Sequence, residues 1–112
     1  MKIITEKSTL DTLWQQREVD LGDMVKIVVD IEKGILALDA ELHADLEEML
    51  LEEGSQQQSL WGANIYPGKT GDDFIEYTSF INIRPSQGNR SMEVQDEGIK
   101  QKMLAIVTNL LG

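Results

Sequence analysis

Cysteine is absent from the chain, which removes disulfide staples and thiolate chemistry, and His43 is its only histidine. A single imidazole builds a structural zinc site only with three carboxylate or water partners, so no metal is expected. Positive charge is scarce as well: ten lysines and arginines face twenty acids, for a net charge of -10. That balance disfavours long-range attraction to a phosphate backbone, and no nucleic-acid partner is expected. No apolar run approaches membrane-spanning length. The opening MKIITEKS has two consecutive apolar residues after Lys2, too few for a signal peptide, so the chain reads as cytoplasmic with no membrane partner. Neither a Gly-x-Ser-x-Gly nucleophile pattern nor a cofactor motif is present, and no cofactor is expected.

What is present fits one domain. A chain of 112 residues with 41% hydrophobic and 27% charged residues, and no low-complexity tract, can bury a single core. The charge is unevenly placed. Residues 1–53 hold fourteen acids and five bases, a net of -9, whereas residues 54–92 hold three of each. From Tyr77 to Met92 there is no acid at all, and this stretch contains Arg84 and Arg90, two of the three arginines. An electropositive island on a chain that otherwise repels anions is the strongest functional cue available. It names no reaction.

Hydrophobic periodicity supplies the elements. Lys2 to Thr5 is a short strand, and Leu10, Leu13 and Trp14 share one face of a helix predicted over residues 9–19, with Ser8 and Asp11 at its start. Val25, Ile27, Val29 and Ile31 alternate with Lys26, Asp30 and Glu32, Ile35 to Leu38 is continuously apolar, and Gly34 between them supplies the positive φ of a hairpin turn. Residues 39–45 read either as a strand extension or as a capping loop, with Asp45 the candidate cap of a helix over 43–53 that Gly54 ends. The acids Glu47, Glu48, Glu52 and Glu53 form its solvated face. Leu60 to Tyr66 is a strand closed by Pro67 and Gly68, and Phe74 to Arg84 alternates as its hairpin partner. Asp96 caps a last helix carrying Ile99, Met103, Ile106, Val107 and Leu110. The order βαββαββα predicts an α+β fold, with a mainly antiparallel sheet and helices packed on one face.

Strand parity puts Asn82 and Arg84 on one face of the second hairpin, and Pro85 ends its ladder, so the loop carrying Ser86, Asn89 and Arg90 begins at the sheet rim. Asn64 and Tyr66, with Gly62 in line, would share that face, while Trp61 points the other way into the core. Arginine's planar fork of donors suits a small anionic ligand, whether phosphate, nucleotide or carboxylate. The other reading is structural: Arg84 and Arg90 pair with surplus acids and pin the loop. His43, with Glu41 and Asp45 nearby, is the side chain that any acid–base step would nominate first.

The segments LHAD (Leu42–Asp45), LWGANIYP (Leu60–Pro67) and INIRPSQGNRS (Ile81–Ser91) resemble a family of small uncharacterised prokaryotic proteins, domains of unknown function, over nearly the whole chain. The resemblance implies a compact cytoplasmic domain and carries no activity or catalytic residue. Where the family would have glycine near Asp39 and Ala40, this chain has none. Three functional classes remain: an anion-binding domain at the Arg84 and Arg90 loop, a homodimeric interaction module using hairpin edges or the stripe of the last helix, and an acid–base enzyme using His43.

Overall fold

The computed structural model describes residues 1–112. Eight regular elements follow the predicted order: β1 (Lys2–Ile4), α1 (Leu10–Gln15), β2 (Val25–Asp30), β3 (Ile35–Leu38), α2 (His43–Glu52), β4 (Leu60–Ile65), β5 (Ile75–Glu76) and α3 (Glu97–Leu111). All strand pairs are antiparallel, in the sheet order β1-β3-β2-β4-β5. The fold is α+β.

The β2–β3 hairpin forms around a buried carboxylate. Asp30 accepts from the N–H groups of Glu32 and Lys33 at 2.9 Å, while Gly34 takes φ 70° and donates to the Asp30 carbonyl. Its second oxygen accepts from the Ser55 hydroxyl at 2.6 Å, tying the hairpin to the chain leaving α2. A buried charge is tolerated where its lone pairs are filled in this way.

Asp39 follows β3 at a position that glycine would fill most easily. It adopts φ 75°, the left-handed region, and its carboxylate accepts from the N–H groups of Glu18 and Val19 at 2.9 and 3.0 Å. Aspartate tolerates this conformation better than most residues, and two charge-assisted hydrogen bonds offset the strain. The same bonds explain why α1 stops at Gln15 rather than reaching residue 19: those two N–H groups serve Asp39 instead of a helical ladder. Residues 39–42 form a loop and not a strand extension, as the second reading has it, but the Asp45 cap of that reading does not form. Leu42 is the N-cap of α2, with no side-chain cap, and Asp45 lies in the first turn, where its charge favours the helix dipole without capping.

The helices cover both faces of the sheet, not one. Ile27, Val29, Leu36, Leu38, Trp61, Ala63 and Ile65 face α1 and α3, whereas Val28, Ala37 and Leu60 face Leu46 and Leu50 of α2. The central strands are therefore buried on both sides. The continuous apolar run Ile35–Leu38 is what such a strand requires. The stripe of α3 is covered, with Met103, Val107, Leu110 and Leu111 all buried.

The predicted strand over residues 74–84 is mostly not a strand. Only Ile75 and Glu76 pair with β4; beyond them Thr78 bridges Glu93, and 3-10 turns form at Phe80–Asn82 and Pro85–Gln87. The Ser79 hydroxyl accepts from the Ile81 N–H at 3.2 Å, a local bond that competes with a ladder. The segment folds over β4, and Ile81 packs into the α2 side of the core.

Candidate functional site

Gly62 is where the two halves of the site lock together. A Cβ at this position would lie 2.6 Å from the Ser79 Cβ, so only glycine lets the Ser79–Asn82 turn lie against β4. Asn82, fully buried, then replaces a strand partner. Its Oδ1 accepts from the Gly62 N–H at 2.8 Å, and its Nδ2 donates to the carbonyls of Gly62 and Met92 at 3.0 Å. One side-chain amide thus satisfies both ladder groups of a strand residue.

Asn89 does the same for the loop beyond. Its Nδ2 lies within hydrogen-bonding distance of the carbonyls of Asn82, Ser91 and Glu93, and its Oδ1 accepts from the Gln95 N–H at 2.9 Å. Arg84 and Asn89 exchange backbone bonds at 2.7 and 3.1 Å across a tight turn in which Gly88 takes φ 79°. The acid-free loop is therefore closed on itself and anchored by two buried amides.

Arg84 leaves this loop toward α2. Its Nη2 meets Glu47 Oε2 at 3.2 Å, with the two side chains 10% and 15% exposed, and its guanidinium lies 4.9 Å from the Trp61 ring. Burial lowers its pKa from the ordinary arginine value, and Glu47 raises it in opposition. Nη1 of Arg84 and Nε1 of Trp61 are buried without a protein partner. Arg90 and Ser86 are exposed.

Asn64 and Tyr66 belong to a neighbouring cluster. Asn64 Nδ2 donates to Glu76 Oε1 at 2.9 Å, and the Tyr66 hydroxyl donates to the same oxygen at 3.3 Å. The structure therefore brings Asn82, Arg84 and Asn89 together, places Asn64 and Tyr66 beside Glu76, and leaves Ser86 and Arg90 at the surface. A groove of about 750 Å³ between β5 and α3 includes Tyr66 but neither arginine.

His43 begins α2, buried, with Nε2 2.8 Å from the Ala63 carbonyl. Burial pushes its pKa below the ordinary value of 6.5; the Ala63 bond opposes the shift, the Lys26 ammonium adds to it, and the Asn64 amide opposes it. The ring is thus held neutral near pH 7, with one nitrogen committed to the backbone.

These contacts place the segments LHAD, LWGANIYP and INIRPSQGNRS around one strand. His43 of LHAD bonds Ala63, and Asn82 of INIRPSQGNRS bonds Gly62, both in LWGANIYP. A family described as protein of unknown function (DUF5674) matches residues 2–110. The chain belongs to the DUF5674 family. No curated protein and no solved structure matches it.

Two features of this DUF5674 chain lie outside the sequence expectations. Glu47 gave no signal, because nothing in a run of helical acids marks the one that meets a distant arginine. Phe80 did give one. It stands among the polar positions Glu76, Thr78, Asn82 and Arg84 of the apparent alternation, and the structure leaves it 77% exposed.

Proposed function

We propose that this chain is a protein-interaction domain whose contact surface is the turn carrying Phe80 and Ile83. The observation that carries this reading is the pairing of exposed apolar side chains with an immobilised backbone. Phe80 is 77% and Ile83 43% exposed, three residues apart across a 3-10 turn, a spacing that aligns side chains on one side. Beneath them Ser79, Asn82 and Asn89 are buried and hydrogen-bonded. Aromatic anchors on a preorganised backbone lose little entropy on binding, which is how interface hot spots are built. A photo-reactive phenylalanine analogue at position 80, expressed in cells, is expected to give protein adducts. Adducts no more abundant than those from the same analogue at exposed Thr12 overturn the reading.

A second reading, a small anion at Arg84 and Arg90, is favoured by the buried donors Nη1 of Arg84 and Nε1 of Trp61 in adjoining side chains. A thermal-shift screen with phosphate, nucleotides and carboxylates tests it; stabilisation that disappears in Arg90→Ala supports it, and no stabilisation by any of them rejects it. Acid–base chemistry at His43 is the weakest reading, because its Nε2 is bound to backbone.

A further inference from the structure

We infer that the partner at this turn is a second copy of the chain, joined about a two-fold axis. The inference rests on the interaction-domain reading and supplies the partner that reading leaves open. A two-fold contact uses the same patch on both copies, so the patch must complement itself. This one does in both chemistry and charge. Its apolar centre, Phe80 and Ile83, meets its own equivalent.

The borders of that centre carry opposite signs. Arg84 bridges Asn89, so the next residues along the two arms are Ile83 and Arg90, which places an exposed guanidinium beside the apolar centre. The same turn is bordered by α2 through the Arg84–Glu47 pair, and Leu51, one helical turn beyond Glu47, is 38% exposed. Glu48 and Glu52 follow round the helix, exposed and without an ion pair among the described contacts. A two-fold axis through the centre lays Arg90 of each copy against the α2 acids of the other.

Charge also selects this location. Two chains of net charge -10 repel over most of their surfaces, and the stretch 77–92 adds no carboxylate of its own to a contact. At physiological ionic strength a screening length of about 8 Å removes most of the repulsion between the distant faces. A different partner bearing acidic and apolar groups would satisfy Phe80 and Arg90 but would face Glu48 and Glu52 with like charge. A second copy satisfies both borders.

Sedimentation equilibrium of the full chain, at concentrations up to roughly 100 µM, reads the association directly. The wild-type chain is expected to dimerise, and Phe80→Ser to be monomeric, with the melting temperature of dilute, monomeric wild type. Arg90→Glu should raise the dimer Kd about tenfold or more, and adding Glu48→Arg and Glu52→Arg to it should restore association. A monomer throughout that range overturns the second copy, as does a dimer indifferent to both Phe80→Ser and Arg90→Glu. If cross-linking from position 80 still captures another protein, the interaction reading survives that failure; if it captures nothing, both fall.

Discussion

The centre of the sheet and the segment from Tyr77 to Gln95 are held by different forces. In β2 and β3, backbone ladders run on both sides and apolar side chains fill both faces. In the segment, two short bridges and the three buried side chains of Ser79, Asn82 and Asn89 do the work of a ladder. The first region spreads its stability over many small contacts. The second concentrates it in a few directional ones, where a single atom change is felt fully.

The largest expected effect comes from breaking that concentration. Asn82→Ala leaves the Gly62 N–H and carbonyl without partners, and leaves the Met92 carbonyl with the Ser79 N–H alone; it should lower stability by roughly 2–5 kcal/mol, as unsatisfied buried groups each cost about 1–3 kcal/mol. Asn82→Asp, equal in shape but unable to donate to Gly62 and Met92, should be nearly as damaging. Chemical denaturation measures the loss, and native-state hydrogen exchange should show faster exchange in residues 77–95 than in β2 and β3. Equal acceleration in both regions would show that they are not separately held.

Next in size is Gly62→Ala, which drives a methyl group to 2.6 Å from the Ser79 Cβ and should cost about 1–3 kcal/mol as overpacking. Ser79→Gly in the same chain should recover part of it, although it also loses the Ser79 bond to the Ile81 N–H. Absence of any recovery would place the clash elsewhere.

A smaller effect separates the regions by pH. The folded-state pKa of His43 lies below its ordinary value of 6.5, so above that pH the ring is neutral in both states and adds no penalty. As pH falls, the unfolded chain takes up a proton that the folded chain refuses. Stability therefore declines from about pH 6.5 downward until the folded pKa is passed, by about 1.4 kcal/mol per unit of pKa difference. His43→Gln should flatten this part of the stability–pH curve; an unchanged curve would assign the decline to other groups.

Smallest of all should be Phe80→Ser, within about 0.5 kcal/mol for the folding of one chain, since an exposed side chain contributes little to the core. A larger loss measured on a dilute, monomeric sample would mean that Phe80 belongs to the fold and not to a contact surface.

The sheet centre was legible because burial there imposes period-two patterning, so the β2–β3 hairpin, β4 and the α3 stripe all form where periodicity puts them. The same pattern misled over residues 74–84. Ile75, Tyr77, Ile81 and Ile83 alternate as in a strand, yet only Ile75 and Glu76 join the ladder. Alternation records which side chains are apolar, not which backbone groups find partners. Of the candidate site, Arg84 and Asn82 were identifiable by residue type, but their companions Glu47 and Gly62 lie 37 and 20 positions away along the chain.

By itself, then, the sequence determined the α+β class, the element order, the hairpin at Gly34, the Asp96 cap and the acid-free stretch, because each follows from local patterning or composition. Tertiary structure alone decided that α2 lies on the opposite face from α1 and α3, that Arg84 meets Glu47, and that Asn82 stands in for a strand. Those outcomes depend on which distant groups are brought within hydrogen-bonding reach, and only the folded chain fixes those distances.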